Sequence, residues 1–112
     1  MKVLVLDDEY KKNPKVREAL DSKKLDAALC SLSNEFLTAV NSAEFDTLFI
    51  NADTWSKGRA IYDYFDIAKK IETKPVVFYN ADQKFAGIKN RRPNDRDKVH
   101  QVSTDYATIF SV

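Results

Sequence analysis

The sequence predicts a doubly wound α/β domain, one parallel five-stranded sheet with helices on both faces. Its apolar runs are short and uninterrupted, as in strands buried on both sides, and they alternate with stretches whose apolar residues recur at three- and four-residue steps. A chain of 112 residues with 44% hydrophobic content supports one core and leaves no room for a second domain, so residues 1–112 are read as a single unit.

Val3-Leu4-Val5-Leu6 forms the first strand. Asn13 followed by Pro14 has the form of a helix N-cap with proline at the first helical position, and Val16, Ala19 and Leu20 share one face of the helix behind it. Asp26 to Cys30 is a weaker strand containing alanine, expected at a sheet edge. Ser33 is placed to cap a helix that turns Phe36, Leu37 and Val40 inward. Thr47-Leu48-Phe49-Ile50 makes the third strand. After Lys57-Gly58, Ile61, Tyr64, Phe65, Ala68 and Ile71 carry the strongest helical pattern in the chain. Pro75 introduces a fourth strand, Val76-Val77-Phe78-Tyr79, where proline is tolerated at the first position. A helix around Gln83 to Asn90 must end before Pro93. Val99 to Val102 is a short polar strand, and Tyr106, Ile109 and Phe110 define the inner face of a final helix of about two turns.

Bulk properties narrow the function. Lys and Arg total 18 against 17 Asp and Glu, a formal charge of +1, so no global field draws the chain to nucleic acid or membrane. The single cysteine, Cys30, excludes an internal disulfide, fits a reducing compartment, and reads as a small buried residue rather than a reactive thiol. Met1-Lys2 runs directly into a strand and then Asp7-Asp8-Glu9, unlike a signal peptide, and no apolar stretch approaches the roughly 20 residues of a membrane span. The expected location is cytoplasmic. Only Gly58 and Gly87 are present, which argues against a doubly wound small-molecule binder that holds nucleotide or flavin phosphate on backbone amides.

Val3-Leu4-Val5-Leu6-Asp7-Asp8-Glu9 resembles the first strand and acidic pair of response-regulator receiver domains. Phe45-Asp46-Thr47-Leu48-Phe49-Ile50 is similar to the segment leading to their phospho-accepting aspartate, and Lys74-Pro75-Val76-Val77-Phe78-Tyr79-Asn80-Ala81 to their fourth strand. The resemblance spans nearly the whole chain, with its specific motif at the opening, and implies strand order 2-1-3-4-5. In that family the acidic pair and the acceptor aspartate hold magnesium, the acceptor attacks a phosphoryl donor, and a hydroxyl and a lysine contact the phosphoryl oxygens. Here Asp7 and Asp8 keep the metal-side carboxylates, but the acceptor position falls on Asn51, whose amide is neither a useful nucleophile nor a strong magnesium ligand. The hydroxyl position falls on Asn80, and the lysine position near Val102 or Ser103, with Lys98 too early in its strand.

The resemblance therefore implies an atypical pseudo-receiver, a non-enzymatic module of two-component signal transduction that acts without phosphorylation. No cofactor is required, and Asp7 and Asp8 leave magnesium open. The alternative is a working receiver that uses Asp53 as acceptor with magnesium; Phe45-Asp46 would then stand too far ahead of the acceptor, and the strand would have to carry a bulge. Trp55, in the expected loop after the third strand, is assigned to packing over the vestigial pocket. His100 lies close to the family's aromatic switch position and is read as a half-exposed strand residue rather than a proton switch. Lys84, Lys89, Arg91, Arg92, Arg96 and Lys98 outnumber Asp82, Asp95 and Asp97 in residues 82–98. With Tyr106 and Phe110 they mark the expected surface for a protein partner or self-association across residues 82–112. Aromatic residues are not interleaved with these charges, which places nucleic acid outside the expected partners.

Overall fold

The computed structural model describes residues 1–42, 45–58, 74–81, 97–102 and 104–111. Strands β1 (Lys2–Leu6), β2 (Asp26–Cys30), β3 (Thr47–Asn51), β4 (Val76–Ala81) and β5 (Lys98–Gln101) form one sheet in the order β2-β1-β3-β4-β5. Every pairing is parallel. Among the described residues the helices are α1 (Pro14–Ser22), α2 (Ser33–Ser42), α3 (Ala52–Gly58) and α4 (Tyr106–Ile109). This is the doubly wound, flavodoxin-like order, with its reversal between β1 and β3. The helical pattern over residues 61–71 and the helix around 83–90 lie outside the described residues, as do Lys84, Lys89, Arg91, Arg92, Arg96 and Ser103.

Alternation along the strands creates two cores. Leu4, Leu6, Leu48, Ile50, Val76 and Phe78 join Phe36 of α2 and Trp55 of α3 on one side. Val3, Val5, Phe49, Val77 and Tyr79 join Val16 and Leu20 of α1 and Ile109 and Phe110 on the other. Each fully buried aliphatic or aromatic side chain contributes about 1.5–3 kcal/mol relative to exposure, so the central strands hold most of the driving force. β2 takes the edge, as its alanines suggested, and there Ala28 is exposed while Cys30 is buried. Burial, with the Glu35 carboxylate adding to it, pushes the Cys30 thiol up and keeps it an unreactive packing group.

Helix α1 starts as its sequence requires. Asn13 is the N-cap, its side chain accepting from the Lys15 N–H at 3.0 Å, with Pro14 in the first turn. Its end uses a left-handed residue without glycine: Lys24 has φ 56°, and the Leu25 and Lys24 N–H groups donate to Leu20 and Asp21 carbonyls.

Four expectations are corrected. Ser33 is the buried first residue of α2 rather than its cap; Leu32 precedes it, and Glu35 reaches back to accept from the Leu32 N–H at 3.2 Å and the Ser31 hydroxyl at 3.3 Å. The segment expected as a loop after the third strand is helical, since α3 begins at the residue following Asn51. Trp55 does pack, fully buried, but from that helix into the core on the α2 side of the sheet, not over the pocket expected beside Asp7 and Asn51. Finally, α4 is a single turn rather than two, capped by Asp105, which accepts from the Thr108 N–H at 2.8 Å. No helix of the described residues is long and apolar enough to cross a membrane.

Candidate functional site

The side chains of interest gather at the carboxyl ends of β1, β3 and β4. Asp7 follows β1 and shares the parity of Val3 and Val5, Asn51 that of Phe49, and Tyr79 that of Val77, which puts all three on the α1 side of the sheet. Asn51 pairs in register with Tyr79.

Asp7 has no exposed surface. Its Oδ1 accepts from the Glu9 N–H at 2.8 Å, closing a local turn, and its Oδ2 accepts from the Tyr79 hydroxyl at 2.5 Å. The Asn51 side chain, beside it at the end of β3, also favours its charged form. Burial raises the Asp7 carboxyl above its ordinary value against the opposing effect of these donors, and the neighbouring Asp8 charge adds to the rise. Burial, together with the Asp7 charge, also drives the Tyr79 hydroxyl well above its usual range, so it serves only as a donor. Its ring is fixed edge-on to Phe110 at 5.8 Å and to Tyr106 at 6.1 Å, and Phe110 lies edge-on to Phe49 at 4.9 Å.

Asn51 has a second task. As the residue before α3 it is that helix's N-cap, its Oδ1 accepting from the Asp53 N–H at 3.0 Å and lying 3.5 Å from the Thr54 nitrogen. The next turn of α3 then reaches Asp8. The Thr54 hydroxyl accepts from the Asp8 N–H and donates to Asp8 Oδ1, each at 3.1 Å, while Lys57 Nζ lies 2.5 Å from Asp8 Oδ2. Although partial desolvation works the other way, Lys57 and Thr54 hold the Asp8 carboxyl below its ordinary value. The Lys57 ammonium is correspondingly raised by Asp8.

The other sequence-derived positions disperse. Asp53 is exposed in the first turn of α3, with β3 ending at Asn51. Asn80 is half-buried with φ 52°, at the irregularity where β4 has one residue more than β5 between Phe78 and Ala81, and it borders an open groove of about 680 Å³ between α1 and Val102, Thr104, Asp105, Tyr106 and Ala107. His100 is half-buried on β5; burial, and then Lys98, lower its pKa, and its Nε2 has no hydrogen-bond partner among the described residues. Lys98 and Val102 are exposed and Tyr106 is half-buried. Phe110, assigned to the partner surface as well as to the inner face of the last helix, has no exposure and belongs to the core alone.

Sequence reasoning missed Tyr79, Thr54 and Lys57 as parts of this site. Tyr79 is signalled only by its parity with Asn51 across paired strands. Thr54 and Lys57 stand three residues apart on one helical face, a relation visible only once α3 is known to start at Ala52. It also missed Asp97, buried, whose Oδ1 accepts from the Val76 N–H at 2.8 Å and pins the start of β4.

Magnesium would need near-octahedral oxygen ligands, usually one or two carboxylates with water. The residues present do not fit it. Both Asp7 oxygens accept from protein donors, both Asp8 oxygens are engaged by Thr54 and Lys57, and Asn51 Oδ1 is turned to α3. Among the described residues no three His, Cys, Asp or Glu side chains converge to hold a metal.

The fold and site define a doubly wound, flavodoxin-like α/β protein with a buried aspartate–tyrosine–asparagine cluster at its strand ends. Compared with protein-family models and with curated proteins, the sequence matches none.

Proposed function

We propose that the protein is a phosphorylation-independent pseudo-receiver, a cytoplasmic, non-enzymatic signalling module that acts by binding another protein or itself through the surface of residues 82–112. One observation carries the first half of this reading. The residue at the carboxyl end of β3, beside the acidic Asp7, is Asn51, and its side-chain oxygen is committed to capping α3. An amide there offers no carboxylate for attack on a phosphoryl donor. Asn80 and the exposed Val102 likewise supply neither a hydroxyl nor a cation for phosphoryl oxygens. The partner surface is supported by the cationic composition of residues 82–98.

Incubation with acetyl phosphate and magnesium, followed by intact-mass measurement, tests the reading. The expected result is unchanged mass. A phosphoryl adduct that disappears in Asp53→Asn overturns it in favour of a working receiver.

A further inference from the structure

At Asp8, the misfit between this acidic end and magnesium originates in α3. Thr54 and Lys57, on one helical face, together engage both oxygens of Asp8, and Thr54 also accepts from the Asp8 backbone N–H. The loop-free step from β3 into α3, fixed by the Asn51 cap, sets the distance that lets Lys57 reach across to the turn after β1. Behind Asp8 stands the Asp7 carboxylate, and the Lys12 cation lies close enough to act on Asp8 as well.

We propose that Lys57 is the built-in cation of this acidic end. Its ammonium holds the place on Asp8 for which a dissolved divalent ion would compete, and with Thr54 it clasps α3 to the turn after β1, so the site keeps this arrangement without metal. The proposal rests on the pseudo-receiver reading and explains why such a module needs no magnesium. The Lys57 side chain is 59% exposed against 26% for Asp8, so it acts as a tethered competitor rather than a plug, and its removal changes affinity by degree.

Magnesium chloride is titrated into the wild-type protein, Lys57→Gln, Lys57→Arg and the double variant Lys57→Gln with Asp8→Asn, following the Asp8 and Thr54 amide resonances. Deleting one positive charge about a hydrogen-bond length from the competing position strengthens magnesium binding in Lys57→Gln by about tenfold. Lys57→Arg, which keeps a cation on a long stem, stays near the wild type, and the double variant loses the gain. Equal affinities in wild type and Lys57→Gln, an equal gain in Lys57→Arg, or a gain that survives Asp8→Asn overturns the proposal. Those outcomes leave the pseudo-receiver reading intact, whereas a phosphoryl adduct in the mass experiment overturns that reading whatever magnesium does.

Discussion

A carboxylate withdrawn from water, as Asp7 is, keeps its charge only while donors surround it, and here they are the Tyr79 hydroxyl and the Glu9 N–H, with the Asn51 amide beside them also favouring the charged form. Because burial still leaves its folded pKa above the ordinary 3.8, the stability linked to Asp7 is fully present below that value and is lost as pH rises through the raised one. Tyr79→Phe removes one donor and raises Asp7 further, extending this loss to higher pH. Urea unfolding should therefore show a cost of about 1.5–3 kcal/mol at neutral pH, the worth of a hydrogen bond to a charged group, and a smaller cost in acid where Asp7 is protonated. Asp8 behaves oppositely. Its lowered carboxyl contributes stability above the ordinary value and gives it up as pH falls through the lowered one.

At the scale of the element, α3 depends on one residue that also serves the strand before it. Asn51→Ala deletes the cap and the amide that favours the charged form of Asp7 together, and a loss of about 1–2 kcal/mol is expected by denaturant unfolding. Asn51→Asp separates the two roles. Aspartate caps a helix as well as asparagine does, so α3 survives, but a second carboxylate now faces Asp7 in place of a donor. Its destabilisation should be clear at neutral pH and shrink in acid, while that of Asn51→Ala changes less with pH. Equal pH profiles for the two variants would show that the Asp7 contact does not matter.

For the whole molecule, the order β2-β1-β3-β4-β5 places β1 and β3 between paired neighbours and leaves β2 and β5 with one open edge each. The difference is one of hydrogen bonding and burial. Val3 to Leu6 and Leu48 to Ile50 are shielded on both faces, whereas β2 alternates exposed and half-buried residues before Cys30. Native-state hydrogen exchange should find β1 and β3 amides exchanging only through global unfolding. The outward-facing amides of β2 should exchange through local opening, at least about tenfold faster. Uniform protection across the sheet would show that β2 does not open independently.

The sequence by itself determined the parallel α/β alternation, because apolar runs and helical periodicities are local patterns that no packing detail alters. It also determined the α1 start, since Asn13 and Pro14 act within one turn, and the buried character of Cys30, whose thiol makes little polar demand. Tertiary structure decided the rest. That Asn51 is at once strand end, helix cap and partner of Asp7 depends on three strands ending together. The Tyr79–Asp7 bond joins residues 72 apart, and the Lys57–Asp8 pair joins residues 49 apart. No window of sequence contains such pairs, because their proximity comes from parallel register and crossover geometry. Phe110 shows the same limit: its amphipathic context fits either core or surface, and only the aromatic packing around Tyr79 places it inside.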